Sequence, residues 1–99
     1  MELIKTQNGG ELCIALKGRL DTTTAPQLES ELKASLTGVE HLALDFAGLD
    51  YLSSAGLRVL MTAQRSVMEG NGKVTIARPN EMVRGVLDMT GLSSVFDIV

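Results

Sequence analysis

Apolar positions along this chain switch between a period of two and a period near 3.6, and each switch marks the edge of an element. Leu12, Ile14 and Leu16 alternate with Cys13, Ala15 and Lys17, which is a strand with one wholly apolar face. Leu3 and Ile4, followed by Lys5, Thr6 and Gln7, form a weaker strand before it, and Asn8-Gly9-Gly10 between the two is a turn. The N-terminus therefore reads as a hairpin. Gly18-Arg19-Leu20-Asp21 extends the second strand or bends away from it. Leu28, Leu32 and Leu36 then recur at four-residue steps, giving an amphipathic helix that ends near Gly38 with Glu29, Glu31 and Lys33 on its solvated face. Thr24 with Gln27 fits a capping box, and Pro26 suits the first turn.

His41 to Phe46 is almost continuously apolar, the form of a central strand covered by helices, and Asp45 is its polar end. A bend over Ala47 to Asp50 follows. Leu57, Leu60, Met61, Gln64, Val67 and Met68 fall on one face of a second helix, with Arg58, Thr62, Arg65, Ser66 and Glu69 opposite and Gly70 at the place of a left-handed cap. Gly70-Asn71-Gly72 leads into a strand over Val74 to Ala77, so strand, helix and strand form a parallel crossover. Pro79-Asn80 opens a third helix with Met82, Val83, Val86 and Leu87 on one side, closing at Gly91 with Leu92 beyond. Val95, Phe96, Ile98 and Val99 are left to cover an edge of the core. The class is α/β, a mixed β-sheet with helices packed mainly on one side, in a single domain over residues 1–99.

Composition narrows this picture. A chain of 99 residues buries about 60–70% of its unfolded surface. With 44% hydrophobic but only 3% aromatic residues, its core is aliphatic. A net charge of −3 and the lack of any basic run speak against a nucleic-acid surface. No basic-then-apolar leader and no apolar run of membrane-spanning length is present, so a cytoplasmic protein without direct membrane contact is expected. Cys13, the single cysteine, has no partner for a disulfide and reads as a buried or half-buried thiol.

The candidate chemistry lies in Ser53-Ser54-Ala55-Gly56, immediately before the second helix. A helix start leaves backbone N–H groups unpaired and partly positive, so it suits a serine cap or a phosphate. Gly56 lacks a Cβ and would let a second backbone approach. An apolar strand ending in Asp45, an aromatic-apolar pair, two small residues of hydroxyl type, glycine and leucine together resemble the signature of STAS domains of the bacterial anti-sigma-factor antagonist kind. Gly18-x-Leu20-Asp21 ahead of a polar loop is similar to the same family. The resemblance implies a STAS fold and a serine phosphorylated by a partner that is both kinase and anti-sigma factor, with a serine phosphatase opposing it. Ser54 matches the phosphorylated position and Gly56 the glycine, while Ser53 replaces the family's aspartate and Ala55 its second hydroxyl. The same resemblance places the partner face on Asp21, Thr22, Thr23, Thr24, Ser53, Ser54, Gly56, Arg58 and Thr62.

Two other readings compete with it. Serines cap many helices without any regulatory role. A nucleophile at Ser53 or Ser54 would need His41 with Asp45 or Asp50 as partners, yet His41 begins the strand whose far end carries the serines. There is no G-x-S-x-G and no phosphate-cradling glycine loop. The expectation is a protein that is no enzyme and carries neither cofactor nor metal. Within the STAS resemblance, the alternative to partner switching is a non-switching soluble subunit or scaffold of a transport or signalling complex.

Overall fold

The computed structural model describes residues 1–99. Strands β1 (Glu2–Asn8) and β2 (Glu11–Leu20) form the hairpin, followed by α1 (Ala25–Ser35), β3 (His41–Leu52), α2 (Ser54–Glu69), β4 (Lys73–Ala77), α3 (Glu81–Met89), a short 3-10 turn over Leu92–Ser94, and β5 (Asp97–Ile98). The five strands lie in the order β1-β2-β3-β4-β5; β1 is antiparallel to β2 and every later pair is parallel. Each of the three crossovers steps one strand in the same direction. With the common hand of such crossovers, all three helices fall on one face of the sheet.

Burial agrees with that arrangement. Leu12, Ile14, Leu16, Leu42, Leu44, Phe46, Val74 and Ile76 point from the three central strands into one core with Leu28, Leu32, Leu57, Leu60, Val83 and Leu87 from the helices. Strand residues between them face the side without helices. Cys13 lies there and is exposed, which corrects the expectation of a buried thiol. His41 shares that side, and its ring nitrogens meet Glu11 at 3.0 Å and Thr75 at 2.8 Å.

The central strand is longer than its apolar run. No bend interrupts Ala47 to Asp50; β3 continues to Leu52 and absorbs two extra residues relative to β2. The register passes from Ala15↔Asp45 to Lys17↔Gly48 and again from Gly18↔Leu49 to Arg19↔Tyr51. Each bulge reverses the facing of the residues beyond it. Phe46, Leu49 and Leu52 consequently all point into the core although they are three residues apart. A spacing of three looks unlike a strand in sequence, and this is why the segment reads as a bend.

Several local expectations change for physical reasons. The inward face of α2 is Gly56, Leu57, Val59, Leu60, Ala63 and Val67, while Met61 and Met68 are 46% and 54% exposed. Gly56 sets this rotation through its close approach to Leu20 and Leu52. Gly70 is not left-handed (φ −91°); Asn71 takes that conformation (φ 64°), and the N–H groups of Asn71 and Gly72 bond back to Met68 and Val67 at 2.9 Å each. This is a Schellman closure one residue later than the sequence pattern places it. Gly72 is needed there because a Cβ would come within 2.5 Å of the Glu40 carbonyl oxygen. Gly91 does end α3 in the left-handed region (φ 78°). At the C-terminus Phe96 is buried and Ile98 half-buried on β5, whereas Val95 and Val99 stay exposed.

The rotation of α2 is directly testable. Leu60→Ala should cost about 2–5 kcal/mol and Met61→Ala under about 1 kcal/mol by urea unfolding. Equal losses would return Met61 to the core.

Candidate functional site

The end of β2, the end of β3 and the start of α2 meet at one end of the sheet. The Ser53 N–H donates to the Leu20 carbonyl at 2.9 Å, which ties the two strand ends together. Ser53 is the N-cap of α2, extended at φ −99° and ψ 173°, and its Oγ accepts from the Gly56 N–H at 3.3 Å. Ser54 is the first helical residue and is exposed, with no hydrogen bond recorded at its hydroxyl. The two serines therefore divide the tasks, one closing the helix and the other facing solvent.

Gly56 differs from the expectation that it opens a path for a partner backbone. It is buried, and a Cβ built on it would lie 2.6 Å from Leu20 Cγ and 2.9 Å from Leu52 Cδ1. Its missing side chain is taken up by the domain itself. α2 rests on Leu20 and Leu52 at this point, and any substitution must first push them aside.

The loop after β2 is held by its own aspartate. Asp21 Oδ1 accepts from the Thr23 hydroxyl at 2.7 Å, the Thr23 N–H at 3.0 Å and the Thr24 N–H at 3.1 Å. These donors, the Thr23 hydroxyl foremost, hold the Asp21 carboxyl below the usual carboxylate range. Thr24 Oγ1 accepts from the Asp21 N–H at 2.8 Å and donates to the Arg19 carbonyl at 2.7 Å. No capping box forms with Gln27, because that hydroxyl is already committed to the loop. Thr22 and Thr23 remain exposed.

Arg58 and Thr62 lie one and two turns beyond Ser54, both exposed, and Thr62 Oγ1 donates to the Arg58 carbonyl at 3.0 Å. Thr62 also lines a groove of about 380 Å³ between α1 and α2, floored by Leu32, Leu36, Val59 and Ala63. The structure thus gathers Asp21 to Thr24, Ser53 and Ser54 at one end of the sheet and runs Arg58 and Thr62 along the adjoining helix. Gly56 alone of these residues is turned inward.

Three contacts between separate elements near this end had no clear signal in sequence. The Arg19 guanidinium sits 4.2 Å from the centroid of Tyr51, across the bulged pairing of β2 and β3. Asn80 caps α3 by accepting from the Val83 N–H at 2.8 Å and donates to the Leu49 carbonyl at 3.1 Å. Arg78 pairs with Asp45, an exposed bridge worth about 1 kcal/mol or less. The first depends on strand register, so residue spacing along the chain gives no hint of it. No catalytic pairing forms at the serines, since both nitrogens of His41 are engaged at the opposite end of β3. No group of acidic, histidine or cysteine side chains is arranged to hold a metal ion, and no helix is long and apolar enough to cross a membrane.

A one-layer mixed sheet covered by helices on a single face, with an exposed serine at the start of the helix after the central strand, defines the class of domain. The STAS domain family matches residues 2–99, and the chain belongs to that family. Among its relatives, BtrV of Bordetella bronchiseptica, which bears the name of a putative anti-sigma factor antagonist, is 33% identical over 99 residues, covering 99% of this chain and 85% of that protein. The anti-sigma-B factor antagonist of Bacillus subtilis is 25% identical over 92 residues, covering 93% and 84%. The fold is similar to that of the anti-sigma factor antagonist SpoIIAA in its unphosphorylated form, with a TM-score of 0.88 at 19% identity over 99% of this chain and 88% of that one.

Two measurements check the site. Ser53→Ala should lose about 0.5–2 kcal/mol of stability and Ser54→Ala less than about 0.5 kcal/mol; the reverse order in thermal unfolding would move the cap. Because the folded carboxyl of Asp21 titrates below its ordinary value of 3.8, its contribution is complete above that pH and is lost as pH falls through the lower folded value. Asp21→Asn should flatten the acid limb of stability below about pH 4 and leave its shape near neutrality unchanged. An unaltered acid limb would show that Asp21 titrates normally.

Proposed function

We propose that this protein is an anti-sigma-factor antagonist that works by partner switching in the cytoplasm. In its unphosphorylated state it binds an anti-sigma factor with serine-kinase activity and so frees a sigma factor. Phosphate on Ser54 releases it, and a serine phosphatase resets it. The observation that carries this reading is the exposed, unengaged hydroxyl of Ser54 at the first position of α2, beside a cap made by a different serine. Support comes also from the antagonist names of the relatives and from their coverage of nearly the whole domain.

The physics favours release over refolding. A phosphate adds about 1.5–2 negative charges near neutral pH. The free N–H groups at the start of α2 accept that charge with little strain in the isolated domain. Against a partner, the same group must be desolvated or displaced, so the cost falls on the complex. A penalty of about 1.4 kcal/mol already lowers affinity tenfold. The role is regulatory, with ATP chemistry residing in the partner.

The test incubates wild type, Ser53→Ala and Ser54→Ala with a serine-kinase anti-sigma factor from the same genome and ATP. Mass spectrometry should place phosphate on Ser54 alone, and the modified protein should bind at least about tenfold more weakly. Phosphate on Ser53, or full affinity after modification of Ser54, would overturn the mechanism.

A further inference from the structure

Ser54, Arg58, Met61, Arg65 and Met68 succeed one another along α2 at steps of four, three, four and three residues, which places them on a single stripe of the helix. All five are exposed. Met61 and Met68 leave about half of their surface in water, and neither Arg58 nor Arg65 has an ion pair within the chain. Nothing in the fold requires this composition, because the opposite face of the helix supplies the core. The chain as a whole is acidic, with 12 carboxylates against 9 basic side chains, so two unpaired guanidiniums one heptad apart stand out from their surroundings.

We infer that this stripe is a docking ridge for an acidic amphipathic helix of a partner protein, and that phosphate on Ser54 weakens docking by capturing Arg58. The second half of the inference rests on the function proposed above; the first does not. Met61 and Met68 are separated by two turns, about 10 Å, so each can enter a separate gap between apolar side chains of a facing helix. Methionine suits such a role because its flexible thioether adapts to the facing surface. Arg58 and Arg65 alternate with the methionines and call for carboxylates at matching heptad spacing on the partner. The charge pattern selects an acidic protein segment over a basic one. Two guanidiniums on a single helix, with Glu69 close behind, make too small a basic face for an anionic membrane.

Arg58 also stands one turn from Ser54, where side chains at i and i+4 come within about 5–6 Å at their Cβ atoms. A phosphate on Ser54 would draw this guanidinium into a charge-assisted pair. The partner's carboxylate then loses its counter-charge and meets a nearby anion instead. Phosphorylation would thus act on the ridge through one shared arginine, beyond simple crowding at the helix start.

The experiment uses the full chain and a synthetic helical peptide with leucine and glutamate at heptad spacing, alongside a second peptide with lysine in place of each glutamate. The acidic peptide should shift the NMR signals of Arg58, Arg65 and the Met61 and Met68 methyl groups, and the basic peptide should not. The double variant Arg58→Glu, Arg65→Glu should bind the acidic peptide at least about tenfold more weakly and gain binding to the basic one. Since both positions are exposed, an unchanged amide spectrum away from α2 will show that the variant is folded. Equal binding of both peptides, no shift at the ridge, concentration-dependent self-association abolished by the same variant, or arginine-dependent binding to phosphatidylglycerol vesicles would each overturn the assignment. Phosphoserine placed at position 54 by genetic-code expansion should weaken the acidic peptide several-fold in wild type and have less effect in Arg58→Ala. An equal effect in both would remove the capture of Arg58. Because no kinase is used, failure here remains distinct from failure to phosphorylate Ser54.

Discussion

The contact of Gly56 with Leu20 and Leu52 is the constraint that shapes the functional end of this domain. Those leucines end β2 and β3, and Ser53 bonds its N–H to Leu20 between them, so the first turn of α2 is pressed onto the two strand ends with no room for a Cβ. Once that point is set, the rotation of α2 is set as well. Leu57, Leu60 and Val67 must turn to the sheet, and the stripe that begins at Ser54 must turn to water. Exposure of the serine is thus a consequence of packing at a glycine two residues away.

The bulges in β3 serve the same end. A regular strand would alternate strictly, and Leu49 would then face opposite to Phe46. The first extra residue returns Leu49 to the core side, and the second restores Leu52 to it and brings the strand end beside Leu20. The two bulges offset their cost in lost ladder bonds by burying one more leucine than a regular strand would, worth roughly 1.5–3 kcal/mol. They also aim the β3–α2 junction at the Asp21 loop, whose aspartate holds three donors without help from another element. Serine, loop and exposed helix face are brought together by strand geometry, with local hydrogen bonds refining each part.

A regulatory domain gains from this separation of tasks. Ser53 closes the helix, so chemistry at Ser54 need not disturb the cap. The core is aliphatic and continuous, and the Ser54 hydroxyl lies outside it. Under the proposed function, charge added at Ser54 would therefore act chiefly on the docked partner.

Much of the fold was legible in the sequence because local period and turn chemistry report on single elements. The alternation of Leu12, Ile14 and Leu16, the four-residue steps of Leu28 and Leu32, and the glycines after each helix marked strands, helices and their order. The serine pair at the start of α2 was legible for the same reason, since a helix start has a local signature. What tertiary structure alone decided was facing and register. Met61 and Met68 match the apolar period as well as Leu60 does, and only the contact of Gly56 with two distant leucines excludes them from the core. Cys13 alternates correctly with the core leucines, and although helices mainly on one side were expected, only the packed sheet left that side open enough to expose the thiol. The extension of β3 past Asp45 depends on its pairing with β2, and bulges erase the period-two signal. The division between Ser53 as cap and Ser54 as exposed hydroxyl turns on where α2 begins, which the strand ends at Leu20 and Leu52 determine by steric contact.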